Sequence, residues 1–257
     1  MRGAHRSGRV FSTGPVCAGK RMTMESFPPG GLVVVVGASG AIGGALADAI
    51  ESSGRFTDVL RLGRRTPLAL DLLDEASIAS AAQQVRDHSA AFRLLINASG
   101  FLHDSGRGPE RSWRHLDPVS LAHNFAINAI GPALLVKHFM PLLAREGKSV
   151  FAALSARVGS VGDNRLGGWY GYRASKAALN QILHTAAIEL ARSHPQSICI
   201  ALHPGTVESA LSAPFARSGL DVQSPAVAAG RLLKVIDGLV PADSGGFMDY
   251  RGNPIVW

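Results

Sequence analysis

An apolar strand that leads directly into a glycine-rich loop and a helix limits the fold of this chain more than any other feature. Residues 32–36 read LVVVV, an unbroken apolar run that is typical of a strand buried on both faces of a parallel sheet. The loop Gly37–Gly43 follows at once, and residues 41–52 then repeat apolar side chains at helical spacing. Because small loop residues and a helix N-terminus let backbone N–H groups approach an anion, this order predicts a phosphate-binding turn.

The rest of the chain alternates strands with helices. The patterns predict strands at residues 58–62, 68–70, 93–98, 149–154, 197–203 and 246–250, and helices at 75–88, 119–145, 171–192 and 225–237. Residues 101–117 form a polar loop long enough to suggest a functional role. Alternation of this kind requires right-handed crossovers, so we predict one α/β domain over residues 31–257: a Rossmann-type, doubly wound parallel sheet with helices on both faces.

Positive charge is concentrated ahead of this predicted domain. The formal net charge is +7, and residues 1–24 contain five basic and no acidic side chains, which leaves +2 for the remainder. The remainder lacks a basic patch interleaved with aromatic residues, so we expect no nucleic-acid partner. Residues 1–30 are predicted to be a basic, flexible leader. A transit peptide, a disordered leader and a true start at Met22 or Met24 stay open as alternatives.

Membrane, disulfide-rich and metal-dependent classes are disfavoured. The longest apolar run, Leu32–Val36, is far shorter than the roughly 20 residues that span a bilayer. Two cysteines cannot form a disulfide framework, and the nine histidines show no metal-ligand spacing. We expect a cytoplasmic protein without membrane or metal, with a mitochondrion or another organelle as the alternative in a eukaryote.

The residues after the second predicted strand bear on which nucleotide the turn would hold. In dinucleotide sites an acid about 20 residues beyond the loop binds the adenosine ribose, but Leu62 and Gly63 occupy that place. Arg64 and Arg65 follow, and an arginine fork can make two charge-assisted hydrogen bonds to a 2′-phosphate. We predict NADP rather than NAD. The alternative is that both arginines are solvated loop residues.

Tyr172 and Lys176 lie four residues apart, and this spacing places them on one face of a helix. A phenol with a pKa near 10 exchanges protons poorly at neutral pH, and a neighbouring cation lowers that pKa by stabilising the phenolate. The same spacing is common on exposed helices, so the pair indicates acid–base chemistry only in combination with the loop.

These motifs together resemble the short-chain dehydrogenase/reductase family, from about Val33 to the C-terminus. Five motifs occur in the family's order: Gly37–Gly43, Asn97–Gly100, Asn128 within residues 127–132, Tyr172–Lys176 and Pro204–Ser209. Residues 155–179 are most similar to the branch that contains the C-signal protein and Sniffer-type carbonyl reductases.

The resemblance implies an oxidoreductase that transfers a hydride between NADP(H) and a carbonyl or secondary alcohol of a small organic substrate. Tyr172 would be the general acid/base, Lys176 would lower its pKa and hold the nicotinamide ribose, and Asn128 would position a water. The family's substrate-orienting serine belongs three residues before Gly159, where this chain has Ala156. Ser155 is the favoured substitute, with Ser160 or no serine as alternatives.

The resemblance also implies a set of cofactor ligands. They are Gly37, Ser39, Gly40, Ile42, Gly43, Arg64, Asp71, Leu72, Asn97, Ala98, Ser99, Lys176, Pro204, Val207 and Ser209. Ala41 replaces a glycine of the family's commonest loop pattern, and we expect binding to survive because alanine is small.

Three further expectations concern the oligomeric state, the alternative to an enzyme and the choice of substrate. Family members often pair through long helices, so a homo-oligomer, either dimer or tetramer, is expected. The competing hypothesis to an enzyme is a cofactor-bound signalling or interaction protein with little turnover. Substrate choice is expected to depend on the loop at 101–117 and on residues 210–224, which would form a lid.

Overall fold

The computed structural model describes residues 23–215 and 221–257. Its strands are β1 (Leu32–Val36), β2 (Asp58–Gly63), β3 (Leu68–Ala69), β4 (Phe92–Asn97), β5 (Ser149–Leu154), β6 (Ser197–His203), β7 (Thr206–Val207), β8 (Val222–Gln223) and β9 (Phe247–Asp249). Seven of them form a parallel sheet in the order β3-β2-β1-β4-β5-β6-β9, and β7 pairs with β8. The predicted doubly wound α/β fold is confirmed.

The described residues form six α-helices, most of which pack on the two faces of the sheet. They are α1 (Ala41–Ser53), α2 (Glu75–Asp87), α3 (Pro118–Phe125), α4 (Gly131–Phe139), α5 (Tyr170–Ser193) and α6 (Pro225–Gly238). Helices α1 and α6 pack on one face, and α2, α4 and α5 pack on the other. Side chains of β1 alternate between these two cores and all are buried, which explains why its sequence shows no polar position.

The long helix predicted at 119–145 is interrupted in the structure. A π-helical turn at Ala126–Ile130 joins α3 to α4, and a short 3₁₀ turn at Met140–Leu142 follows α4. Apolar periodicity continues through the turn, so the sequence pattern does not reveal it.

By length and composition, the helical stretch Pro118–Leu142 could cross a membrane. Polar residues interrupt its apolar residues, so no single apolar run in the sequence indicates it. One such helix is a weak indication, and here Leu135 and Phe139 lie fully buried in the core of the sheet. Its composition is that of a helix with one core face.

The folded body begins earlier than the predicted boundary at residue 31. Met24 and Phe27 are almost completely buried in the core beneath α1 and α6. The hydroxyl of Ser26 donates to Asp237 Oδ1 at 2.6 Å, and Lys148 Nζ donates to the Ser26 hydroxyl at 2.9 Å. Residues 24–30 therefore pack with the domain rather than with the leader, whose residues 1–22 lie outside the described ranges.

Candidate active site

Two glycines, Gly37 and Gly43, allow the backbone of the glycine loop to fold closely against its surroundings. Gly37 has φ +81°, and a Cβ there would lie 2.9 Å from Ser99 N. A Cβ at Gly43 would lie 2.2 Å from Gly37 O, so only glycine lets α1 start this close to the loop. No side chain among the described residues caps the first turn of α1, and its N–H groups are left to an external acceptor.

Arg64 lies at the edge of this loop. A Cβ at Gly63 would approach Ser39 Oγ to 3.4 Å, so the end of β2 adjoins the loop directly. Arg61 on β2 is held by Asp48 and Glu51, each at 2.7 Å. The exposed guanidinium of Arg64, by contrast, makes no hydrogen bond or ion pair with any described residue, so it can meet an incoming phosphate.

The remaining predicted cofactor ligands follow the carboxyl ends of parallel strands, where a doubly wound sheet has its binding crevice. Asn97 Oδ1 accepts from Ser99 N at 3.1 Å, and within the described ranges Asn97 Nδ2 has no partner. Asp71 Oδ1 accepts from Leu73 N at 3.0 Å, so this carboxylate stabilises a turn.

The other predicted ligands in this group have packing roles of their own. Leu72 packs in the core, and the Ser209 hydroxyl lies 3.2 Å from that of Ser212. Pro204 and Val207 lie on the segment that follows β6. The structure therefore brings these residues to the same edge of the sheet as the glycine loop.

Asn128 occupies the middle of the π-helical turn and is buried. Its amide donates to Phe101 O at 2.8 Å and to Ser175 Oγ at 3.1 Å, while its Oδ1 accepts from Phe101 N at 2.8 Å. Because π-helical turns are rare and concentrate at functional sites, the turn supports a functional role for Asn128. The predicted residue is thus fixed between the 101–117 loop and α5.

Tyr172 and Lys176 lie on the buried face of α5. Lys176 Nζ donates to Leu154 O at 2.9 Å and lies 5.9 Å from the centre of the Tyr172 ring. Burial lowers the pKa of Lys176 to about 8 and raises the pKa of Tyr172 to about 12. The direction for Tyr172 is opposite to the expected one, because desolvation outweighs a cation that is hydrogen-bonded to a backbone carbonyl.

Both candidate serines are hydrogen-bonded to residues other than Tyr172. Ser155 Oγ donates to Asn180 Oδ1 at 2.6 Å, one helical turn beyond Lys176, and Ser160 Oγ accepts from Asp163 N at 3.0 Å. Neither hydroxyl is hydrogen-bonded to Tyr172 in the part of the chain described. Ser155 keeps the strand register, since its N–H donates to Leu202 O at 2.8 Å, and so it faces α5. The assignment of Ser155 stays a prediction.

A cavity of about 1460 Å³ opens beside the N-terminus of α5. Its walls include residues 103–111 and 214–215, from the two segments expected to select the substrate, and residues 166–169, which precede α5. The Trp169 ring lies 6.2 Å from Tyr172 and 5.1 Å from Phe215, measured between centroids. Apolar side chains therefore connect this cavity to the candidate proton donor.

Sequence reasoning missed Trp169 and Glu110, which both border this cavity. A tryptophan in a glycine-rich stretch has no periodic signal, and an acid in a polar loop resembles a solvated one. Leu220, expected on the lid, lies outside the described residues. No cluster of three metal-ligating side chains occurs within 23–215 and 221–257.

The arrangement joins an anion-binding turn, a free arginine and a buried phenol–ammonium pair along one edge of the sheet. The glycine cradle, the uncapped helix and the unpartnered Asn97 amide fit a dinucleotide that carries an extra phosphate. A phenol held neutral by burial can donate a proton to an oxygen that gains negative charge.

Comparison with known proteins places these features in context. A family model described as enoyl-(acyl carrier protein) reductase matches residues 41–235. C-signal of Myxococcus xanthus is 36% identical over 144 residues, which cover 55% of this chain and 81% of that protein. A 1-hydroxy-2-glutathionyl-2-methyl-3-butene dehydrogenase of Rhodococcus is 28% identical over 88% of this chain and 99% of its own length. The NADPH-bound carbonyl reductase from chicken fatty liver superimposes with a TM-score of 0.79 at 23% identity, over 91% of this chain and 97% of that one.

Proposed function

Since the chain belongs to the short-chain dehydrogenase/reductase family of oxidoreductases, we propose that it reduces a carbonyl group of a small organic substrate with NADPH. The observation that carries the proposal is the buried pair of Tyr172 and Lys176, which lies on the same sheet edge as the glycine loop. The substrate would occupy the cavity beside Trp169, with its carbonyl turned towards Tyr172.

The residues that would hold NADP(H) are those of the glycine loop and its surroundings. The N–H groups of Ile42 and Gly43, in the first turn of α1, would bind the pyrophosphate, and Arg64 would supply the cation for a 2′-phosphate. The chicken carbonyl reductase, a structural relative, is solved with NADPH, which supports this choice. When bound, NADPH supplies the hydride.

The chain's own residues would move and hold the proton. Tyr172, kept neutral because burial raises its pKa to about 12, donates its proton to the carbonyl oxygen. Lys176 carries its charge at neutral pH, since its pKa is about 8, and attracts the electron pair left on the phenol oxygen. Asn128 holds the loop at 101–117 against α5, because it is hydrogen-bonded to both Phe101 and Ser175. Ser155 would act through Asn180, with which its hydroxyl is hydrogen-bonded.

The domain arrangement, the oligomeric state and the location of the protein are inferred from the sequence alone. We propose a single catalytic domain preceded by the basic leader. A homo-oligomer, and a cytoplasmic or organellar location, stay predictions.

The proposal is tested by following the hydride itself. Full-length protein is incubated with NADPH deuterated at C4 and a panel of aldehydes and ketones, and the alcohols are analysed by mass spectrometry. We expect deuterium at the carbinol carbon of at least one product. Bound NADPH with no labelled product from any carbonyl would contradict the proposal.

A second candidate function is NADP(H) binding with little turnover, in a signalling or interaction role. One observation favours it: the Ser155 hydroxyl is hydrogen-bonded to Asn180 and the Ser160 hydroxyl to Asp163 N, and neither is hydrogen-bonded to Tyr172 in the described chain. Replacing Tyr172 by Phe separates the candidates, because a biological effect that survives this change cannot depend on turnover.

A further inference from the structure

We propose that Glu110 is a positioning residue for Tyr172. It lies in the cavity loop, residues 103–111, and holds Tyr172 in place by accepting hydrogen bonds from the start of α5. The inference rests on the proposed function, because it concerns the same site. Glu110 belongs to none of the motifs that identify the family in this sequence.

The start of α5 needs support from outside the helix. Gly167, Gly168 and Trp169 have φ of +64°, +65° and +55°, so three successive residues adopt left-handed backbone. Trp169 and Met24 are the only non-glycine residues with positive φ in the described ranges. Trp169 is also the N-cap position, and no side-chain hydrogen bond from it caps the helix. Such a conformation persists only where surrounding contacts fix it.

Glu110 provides those contacts through two different groups. Its main-chain oxygen accepts from Trp169 N at 2.6 Å, and its Oε2 accepts from Gly171 N at 3.1 Å. Arg173 completes the arrangement on the other side, where Nε donates to Gly168 O at 3.0 Å. A carboxylate at a helix N-terminus also interacts favourably with the helix dipole.

The carboxylate of Glu110 is buried, and one of its oxygens lacks a partner. The residue is 6% exposed, and Oε1 accepts no hydrogen bond from any described group. A Cβ at Gly171 would lie 2.9 Å from this oxygen and 3.1 Å from Asn124 Nδ2, so a larger residue here would displace the carboxylate. Asn124 Oδ1 in turn lies 3.5 Å from Asn128 Nδ2. Burying an incompletely paired carboxylate is unfavourable, so its retention calls for a role.

The position of Glu110 connects the cavity to the helix that carries the proton donor. The residue lies between Pro109 and Arg111 in the cavity loop, and it accepts hydrogen bonds from Trp169 N and Gly171 N, three residues and one residue before Tyr172. The bond to Trp169 also places the ring that packs against Tyr172. Within the described residues Glu110 makes no hydrogen bond or ion pair with the glycine loop or Arg64, so its loss is expected to change turnover rather than NADPH affinity.

The test compares Glu110→Ala and Glu110→Gln with wild type, all in the full chain. For the alanine variant we expect kcat to fall about tenfold or more, while the NADPH dissociation constant stays within about twofold. Backbone amides in residues 169–176 should exchange with solvent faster. Glutamine keeps an acceptor for Gly171 N, so it should retain kcat within about threefold of wild type.

Two further variants keep the test decisive. Asp243→Ala is the matched control, because Asp243 Oδ2 also accepts a backbone N–H, from Val240 at 2.9 Å, at a distance from the cavity. It should leave kcat and exchange at 169–176 unchanged. If Glu110→Ala does not fold, Gly171→Ala displaces the carboxylate without removing it and should lower kcat as well.

Wild-type kcat in Glu110→Ala, unchanged exchange at 169–176, or a parallel loss of NADPH affinity would overturn the inference. Absence of wild-type turnover with every carbonyl would contradict the proposed function instead. The exchange measurement would then still decide whether Glu110 holds the start of α5.

Discussion

At the scale of single residues, burial sets the charge of the groups that matter. Tyr172 and Lys176 are both removed from water, which favours the neutral phenol and weakens the hold of Lys176 on its proton. Arg64 lies at the opposite extreme, exposed and free of any hydrogen-bonded partner in the described chain. Tyr172 and Lys176 are therefore suited to proton transfer, and Arg64 is suited to binding a phosphate.

The pH dependence of the reaction should follow the loss of the proton from Lys176. Its pKa is lowered to about 8 by burial, so the ammonium is present below that pH and lost above it. We expect kcat/KM for carbonyl reduction to decline as pH rises through about 8. The measurement is a pH profile from 6 to about 10 at saturating NADPH. A profile that stays flat across the upper part of this range would show that the ammonium plays no part.

Cofactor preference should depend on Arg64. Replacing it with alanine removes charge-assisted hydrogen bonds to the 2′-phosphate, so the NADPH dissociation constant should rise about tenfold or more. NADH, which lacks that phosphate, should bind as before. Fluorescence titration of both nucleotides measures this, with Arg61→Ala as control because Asp48 and Glu51 engage Arg61. Equal weakening of NADPH and NADH would contradict the assigned role.

At the scale of elements, glycines determine how closely α5 approaches the end of β5. A Cβ at Gly159 would lie 2.8 Å from Lys176 Cβ and 3.0 Å from its main-chain carbon. An added methyl group cannot be accommodated there by rotating a flexible side chain. The helix that carries Tyr172 and Lys176 therefore depends on this glycine for its position.

Two glycine substitutions should have opposite effects. Gly159→Ala pushes against α5 and should destabilise the fold by about 1–3 kcal/mol, with loss of turnover. Gly230 lies in α6 with nothing within 4 Å of an added Cβ, so Gly230→Ala should stabilise by about 0.5–1 kcal/mol. Urea unfolding of both variants measures the difference. A Gly159→Ala protein as stable and as active as wild type would refute the close approach.

Elements with strong local patterns could be predicted from the sequence, and those fixed by distant contacts could not. The bounds of β1, β5 and β6 are as predicted because each contains an unbroken run of five apolar residues. The π-helical turn around Asn128 keeps the apolar spacing of an α-helix, so nothing local reveals it. The start of α5 depends on Glu110, about 60 residues earlier in the chain, and no periodic pattern encodes that contact.

At the scale of the whole molecule, the predicted motifs converge because parallel strands deliver their carboxyl ends to one edge. Motif order and alternation are therefore enough to predict the sheet and the edge at which the candidate residues lie. Met24 and Phe27 have no pattern of their own, so the sequence does not predict that they join the domain, and only the assembled core shows that they are buried. The cavity walls come from separate loops, so their combination also required the structure.

Stability of the whole fold should fall in mild acid because of His203. Burial lowers its pKa to about 4, whereas the unfolded value is near 6.5. Between these values the unfolded chain binds more protons than the native one, so the free energy of unfolding decreases as pH falls. The loss attributable to this residue is up to about 3 kcal/mol. Urea unfolding at pH 7 and at about pH 4.5 should show a smaller difference for His203→Asn than for wild type. Equal differences would contradict the role of His203.

The central claim is that Tyr172 donates the proton during hydride transfer, and single-turnover reduction by Tyr172→Phe tests it most directly. NADPH binding to the variant should match wild type within about twofold, while the rate of NADPH oxidation by a carbonyl should fall about 10²–10⁴-fold. A Tyr172→Phe protein that oxidises NADPH at the wild-type rate would contradict the account.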